Sequence, residues 1–238
     1  LKQQGYSMVI GIPLVAVDIP DDKLLATVKL PVKITFNDAT TNVNAFYASL
    51  DYSLGKMYKQ ALNIMKTEST STFLENYALD VMRVYDAIPF SGVDFECTPR
   101  SWKRTDVTTA IKNALAVNIP LIKIEGTDFT LSQDFNKYFV VPSDEIYVDT
   151  GVQFLYAPDW PMLVDILNEK GPVLQGKPYT TDNAMSKFLT QFFCMNTYDF
   201  VYDMKFPVLI TITDKKNNLF QFATMAIIDN NQPRQNTL

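Results

Sequence analysis

Apolar and polar positions alternate from residue 27 onward. Val28, Leu30, Val32, Ile34 and Phe36 alternate with Thr27, Lys29, Pro31, Lys33 and Thr35. A period of two marks a strand with one buried and one wet face. The same phrase returns near the C-terminus. Lys29-Leu30-Pro31-Val32-Lys33-Ile34-Thr35-Phe36-Asn37-Asp38 matches Lys205-Phe206-Pro207-Val208-Leu209-Ile210-Thr211-Ile212-Thr213-Asp214 at the Lys, Pro, Val, Ile, Thr and Asp positions. Each copy is followed by a short polar stretch (39–42 and 215–218) and a second apolar run (43–50 and 219–228), which reads as two hairpins. The second copy is the more apolar on both faces and belongs deeper in the core. Pro207 lacks an N–H and calls for a bulge or a local edge. Two amphipathic strands can share such a pattern by coincidence, but the common Pro and Asp offsets favour a duplicated or pseudo-symmetric unit.

Between the hairpins the period changes to that of helices. Leu54, Tyr58, Ala61, Leu62 and Met65 mark one face of a helix starting near Asp51 or Ser53, either of which can cap it. Phe73, Leu74, Tyr77, Ala78, Val81 and Met82 mark a second, and Val107, Ala110, Ile111, Ala114 and Leu115 a third. The third must stop near Asn118, because Pro120 disfavours helix at Ile119. A short fourth helix carries Met185, Phe188, Leu189, Phe192 and Phe193, and strands are expected at 121–124, 138–141, 146–148 and 152–156. The expected class is α+β, a mainly antiparallel sheet built from two similar hairpins with three to four packed helices. It reads as one domain over 1–238, with pseudo-symmetric halves at about 1–83 and 84–230 and a polar tail at 231–238. Gly55-Lys56 lacks the flanking Gly and Ser/Thr of a phosphate loop.

With 238 residues, 47% of them apolar, the chain can bury a sizeable core. A net charge of −5 argues against nucleic acid as a partner. The chain has no histidine, which removes Ser-His-Asp and Cys-His catalysis and imidazole-ligated metals. The longest apolar run, residues 8–17, is short of the roughly 20 needed to cross a bilayer, contains Pro13, and reads as a buried strand. Beginning at Leu1, the sequence reads as a processed product or as part of something longer.

Several side chains could carry chemistry. Asp94 and Glu96 alternate before Cys97 and share a strand face; paired carboxylates of this kind can cleave glycosides, although a solvated face is the plainer reading. Asp159-Trp160-Pro161, with Tyr156 and Asp165 nearby, suits a sugar-stacking site or an ordered turn whose rings pack inward. Packing is favoured in a chain with 12 Tyr and 16 Phe. Arg100, Lys103 and Arg104 around Trp102 read as salt-bridging residues at a helix start. Asp18, Asp21 and Asp22, and Asp144, Glu145 and Asp149, are candidate oxygen ligands for calcium without the spacing of an EF-hand; no other cofactor is expected. Cys97 and Cys194 are either two independent buried thiols or one disulfide closing a long loop, worth about 4–5 kcal/mol in the chain-entropy limit.

Four stretches carry a resemblance: residues 84–97 (Val84-Tyr85-Asp86-Ala87-Ile88-Pro89-Phe90 through Cys97), 156–161, 192–208 and 220–234. Over about Val28 to Arg234 the chain resembles a group of uncharacterised archaeal proteins from small-genome lineages, with an N-terminal membrane anchor and an extracytoplasmic body. The resemblance implies an outward-facing domain in which Cys97 and Cys194 pair, and it carries no catalytic role. The expected function is therefore a non-enzymatic cell-surface or secreted structural or interaction protein, such as a subunit of a surface filament or lattice. Its expected partners are proteins or further copies of itself, with membrane attachment only through an anchor outside this chain. Exposed hairpin edges would accept strands, and residues 8–17 would complete either a neighbour's sheet or the chain's own. The competing readings are an extracellular carboxylate hydrolase using Asp94, Glu96, Asp159 and Asp165, and a passive glycan binder using Tyr156 and Trp160.

Overall fold

The computed structural model describes residues 6–10, 14–128, 137–180, 188 and 192–234. The expected helix around Met185–Phe193 and the end of the polar tail lie largely outside the described residues. The chain divides into two compact units, one made of Leu1–Leu62 with Thr213–Phe220, the other of Asn63–Ile212 with Gln221–Leu238.

The first unit is a set of short antiparallel strands. They are β1 (Tyr6–Ile10), β2 (Leu14–Asp18), β3 (Leu24–Lys29), β4 (Val32–Phe36), β5 (Ala39–Val43) and β6 (Phe46–Leu50). They form two three-stranded sheets, β1-β4-β5 and β2-β3-β6. Only Leu30 and Pro31 separate β3 from β4, and only Asn44 and Ala45 separate β5 from β6, with the Leu30 N–H donating to the Asn44 carbonyl at 3.2 Å. The two sheets thus follow each other along the same passes of chain as a ribbon, broken where Pro31 cannot donate.

The first echo is therefore a hairpin with a different turn from the expected one. β4 pairs with β5 from Phe36↔Ala39 to Val32↔Val43, so residues 39–42 are strand and the turn is Asn37-Asp38 alone, with Asn37 at φ 51°. Asn tolerates that left-handed geometry, which suits a tight hairpin. The N-terminal apolar run completes the chain's own sheets, β1 on β4 and β2 on β3.

Helix α1 (Leu54–Ser71) begins in this unit. A Cβ on Gly55 would lie 2.6 Å from the Pro20 carbonyl oxygen, so glycine lets the helix start against the β2–β3 connection. Lys59 then pairs with Asp21 at 2.8 Å. The buried stripe of α1 is Met57, Gln60, Ala61, Ile64 and Glu68, whereas Tyr58 and Leu62, expected to be inward, are exposed.

The second unit contains α2 (Phe73–Val84), β7 (Ser91–Asp94), β8 (Ser101–Lys103), α3 (Arg104–Asn118), β9 (Ile122–Ile124), β10 (Phe139–Val141), β11 (Thr150–Leu155), β12 (Leu163–Ile166), β13 (Val173–Gln175), β14 (Lys177–Pro178), β15 (Asn196–Asp199), β16 (Tyr202–Asp214), β17 (Leu219–Asp229) and β18 (Gln232–Pro233). The tip joining β16 to β17 belongs to the first unit. Helices α2 and α3 bury the faces their spacing marks: Phe73, Leu74, Ala78, Val81 and Met82 on one, Val107, Ile111, Ala114 and Leu115 on the other. Helix α3 ends at Asn118, ahead of Pro120. Residues 146–148 are not a strand but a turn region with one bridge, Thr127↔Tyr147.

The main sheet runs β11-β16-β17-β18, with β12 also on β16. On β16 the side chains of Tyr202, Met204, Phe206, Val208, Ile210 and Ile212 are all buried, as the second echo requires. Pro207 lies just past Lys205, the last β16 residue paired to β12, so its missing N–H falls where one neighbour ends. The described pairs are antiparallel except β9 with β10, which is parallel. The fold is α+β, with short separate sheets beside the β16–β17 hairpin.

The two units differ in how they hold apolar residues. From Val15 to Leu50, Val32 is the one buried side chain, and Val15, Val17, Phe36, Phe46, Tyr47 and Leu50 are exposed. Phe206→Ala should therefore cost about 3–5 kcal/mol through transfer and cavity terms. Phe46→Ala should stay within about 0.5 kcal/mol in a dilute chain. Urea midpoints at constant slope measure both.

Candidate functional site

Strands β7 and β15 pair antiparallel, with Asp94 opposite Asn196 and Gly92 opposite Tyr198. A Cβ on Gly92 would lie 2.5 Å from the Tyr198 hydroxyl, so the glycine makes room for that ring. Just beyond the ladder, Cys97 and Cys194 form a disulfide, with Cα atoms 4.6 Å apart at a sequence separation of 97. Cys194 adopts φ 49°. Asn196 is buried and its side-chain amide donates to the carbonyls of Glu96, at 2.5 Å, and Cys194, at 3.2 Å, tying together the chains that carry the two sulfurs. This disulfide points to an oxidising, extracytoplasmic setting. Among the described residues, no helix is long and apolar enough to cross a membrane.

The candidate carboxylates sit on separate pieces of this framework. Asp94 ends β7, half-buried, with Oδ2 buried and without a hydrogen-bond partner. Glu96 lies past the strand and is exposed, so the two do not share a strand face. Asp159 is exposed in the turn after β11, where the Trp160 N–H donates to the Ala157 carbonyl at 3.0 Å. Asp165 is on β12, opposite Asp203, with its own carboxylate 3.5 Å from Arg104.

Tyr156 is 1% exposed and packs edge-on against Trp160 at 6.3 Å and Phe206 at 5.8 Å. Burial, with the nearby charge of Asp159, pushes its hydroxyl above the usual range. Trp160 is half-buried. A ring as hidden as Tyr156 offers no face for a sugar to stack on.

Three cavities stand out among the described residues. One of about 520 Å³ is lined by Asp86, Arg100, Trp102, Lys103, Asp106 and Val173 with their neighbours. It sits at the basic–aromatic cluster, where the Arg100 guanidinium lies 5.4 Å from the Trp102 ring centroid. Arg104 donates to the Glu169 carbonyl at 2.6 Å and the Gly171 carbonyl at 2.9 Å, which docks the start of α3. The second, about 330 Å³, brings Asp165 near Asp203 and Asp229, beside Lys205. Asp203 accepts from the Asn230 N–H and Asp229 pairs with Arg234 at 3.4 Å, so these acids already have partners. None of the three holds two of Asp94, Glu96, Asp159 and Asp165. No group of three metal-ligating side chains gathers among the described residues, at either calcium candidate or elsewhere.

The third cavity, about 530 Å³, lies within the first unit and is almost wholly apolar, lined by Ile19, Leu54, Gly55, Tyr58, Lys59, Leu62 and Phe220. The Tyr58 and Phe220 rings meet edge-on at 6.5 Å. The sequence had marked Leu54, Tyr58 and Leu62 as a helix face; that face lines an open cleft. The adjoining hairpin tip is fixed by Asp214, whose carboxylate accepts the N–H groups of Lys216 and Asn218 at 2.8 and 3.0 Å. Burial pushes its carboxyl up, but the hydrogen bonds from Asn218, Lys216 and Ser53 outweigh it and hold the group below the usual range.

The chain matches no protein-family model, no curated protein and no solved structure.

Replacing both sulfurs (Cys97→Ser with Cys194→Ser) should lower stability by about 2–5 kcal/mol, and Asn196→Ala should remove about 0.5–1.5 kcal/mol by breaking the hydrogen bonds to the Glu96 and Cys194 carbonyls. Chemical denaturation of oxidised wild type against the variants measures both. An Asn196→Ala loss below 0.5 kcal/mol, on the order of a surface change, would remove that residue from the staple.

Proposed function

We propose that this is an extracytoplasmic structural or interaction protein without catalytic activity, in which the stapled second unit is the scaffold and the ribbon of the first unit is the docking element. One observation carries the reading: a stretch of antiparallel sheet from Val15 to Leu50 with one buried side chain and apolar residues left in water. A three-stranded sheet needs a covered apolar face to stabilise itself, and an apolar surface left open is characteristic of an interaction site.

The charge pattern supports the same reading. Edge strands in proteins that stay apart are usually blunted by lysine, proline or inward charge. Here the edges read Tyr-Ser-Met-Val-Ile (β1), Leu-Val-Ala-Val-Asp (β2), Ala-Thr-Thr-Asn-Val (β5) and Phe-Tyr-Ala-Ser-Leu (β6), with Asp18 their one charge. Lys29 and Lys33 lie on the central strands β3 and β4. Such edges accept a strand through main-chain hydrogen bonds, with alternate side chains setting the register. Because β1 and β2 pair within the chain, the strand received is added at an outer edge and is not exchanged for the N-terminal run. A filament or lattice of like subunits on a cell surface is the assembly this implies, in line with the resemblance to anchored archaeal surface proteins. Among the described residues, none of the three cavities brings two of Asp94, Glu96, Asp159 and Asp165 together, which gives the alternative hydrolase reading no support.

The test is the mass of the purified oxidised chain by light scattering over a concentration series, beside Thr41→Lys combined with Tyr47→Lys on the β5–β6 edge. Wild type should associate at tens of micromolar (on the order of a modest interface) and the double variant should remain a monomer with unchanged helical circular dichroism. A wild-type chain that stays monomeric at every concentration, with a ribbon that resists protease by itself, would contradict the reading.

A further inference from the structure

The second unit buries two acids that no part of the proposed function uses. Helix α1 ends at Ser71, and Thr72, at φ 48°, turns the chain directly into α2. Glu68, in the last turns of α1, is 3% exposed, and Glu75, in the first turn of α2, is fully buried. Thr72 makes no side-chain cap bond to α2; Glu68 takes that place, its Oε2 accepting the Leu74 N–H at 3.2 Å. Glu75 Oε1 accepts the Ile227 N–H of β17 at 2.9 Å. Ile227 gives its carbonyl to the Arg234 N–H, so Glu75 satisfies the strand edge where β18 has ended.

Two oxygens of this corner then face each other. The carboxyl groups of Glu68 and Glu75 are within hydrogen-bonding reach of one another, and Glu75 Oε2 is buried with no donor from any other group. Two ionised carboxylates have only acceptors to offer; one added proton gives the contact its donor and satisfies the orphaned oxygen. We infer that the α1–α2 corner and its grip on β17 are held by a single proton shared between Glu68 and Glu75, which makes the second unit a fold that weakens as that proton is withdrawn.

The electrostatics agree with the geometry. Burial pushes the Glu68 carboxyl up to about 9, the hydrogen bond and the charge of Glu75 push the same way, and the Leu74 and Phe73 amides pull against them. The groups facing the pair are therefore each other, those two amides from α2 and the Ile227 amide from β17. Of the other charged residues on these elements, Lys56 and Lys59 lie in the first two turns of α1, Lys66 is exposed, Asp80 is bonded to Arg83 at the surface, and Asp229 to Arg234. A carboxyl that holds its proton in the folded state and loses it at an ordinary value when unfolded stabilises the fold fully below pH about 4.5. That stability drains away as pH rises toward about 9. The chain has no histidine, and both cysteines are in the disulfide, so neither of the side-chain types that ordinarily titrate near this window contributes. Lys123, whose ammonium burial lowers, lies on β9 and is common to wild type and variants, so a comparison cancels it.

The test is urea unfolding of the oxidised chain between pH 5.5 and 8.5 for wild type, Glu68→Gln and Glu75→Gln. Either glutamine supplies a permanent donor in the same shape. The wild-type unfolding constant should rise by close to tenfold per pH unit, and each variant should show less than about a twofold rise per unit over the same range. Protection of the Ile227 amide against hydrogen exchange should fall in step with the wild-type constant, and this reads the corner itself if a variant does not fold. A flat wild-type profile overturns the inference, and so does a wild-type slope that survives in both variants or an Ile227 amide whose protection ignores pH.

Discussion

The covalent tie between Cys97 and Cys194 is the constraint on which the second unit depends. It joins the end of β7 to the start of β15, two strands that already pair, and the chain between them contains α3 and the strands from β8 to β14. Closing so long a loop removes freedom chiefly from the unfolded chain. The folded gain is local: Asn196 can bridge the Glu96 and Cys194 carbonyls because the sulfurs hold the two backbones together. Aromatic packing continues from there, Trp102 against Tyr198 at 4.9 Å and Phe200 at 5.8 Å. Beyond them, Tyr202 donates its hydroxyl to the Pro89 carbonyl at 2.6 Å and stacks on Phe90. That sequence of contacts leads from the staple into β16 and the core.

The first unit has hairpins, turns and register, yet little interior. Its tight Asn37-Asp38 turn, its Pro31 break and the Asp214 turn define backbone geometry without burying much surface. Main-chain pairing alone contributes modestly to net stability, and the ribbon and the apolar cleft beside α1 leave apolar surface uncovered; under the proposed function that surface is what a partner would bury. The buried acids add a second theme, in which polar groups fix how the helices meet the sheet and apolar area supplies the bulk of the energy.

Much of the second unit was legible from periodicity. The buried faces of α2 and α3, the stop before Pro120 and the alternation along β16 all follow from apolar spacing and from what proline cannot do. Helix α1 was placed correctly in sequence but read with the wrong face inward. Its buried stripe includes Gln60 and Glu68, which hydropathy counts as outward, while Leu54, Tyr58 and Leu62 line a cleft. The Ala-Thr-Thr-Asn stretch at 39–42 looked like a turn because it is polar; β-branched threonine fits a pleated strand equally well, and tertiary pairing decided. Glu96 was set on a strand that stops at Asp94. The pairing of Cys97 with Cys194 and the meeting of Glu68 with Glu75 are spatial facts that spacing along one chain does not encode.

The most direct measurement of the central claim is the intact mass of the native chain after alkylation under denaturing, non-reducing conditions. The account predicts no alkyl groups added until a reductant is supplied, and two thereafter. Two alkyl groups taken up without reductant would mean free thiols, and the stapled extracytoplasmic scaffold would have to be abandoned.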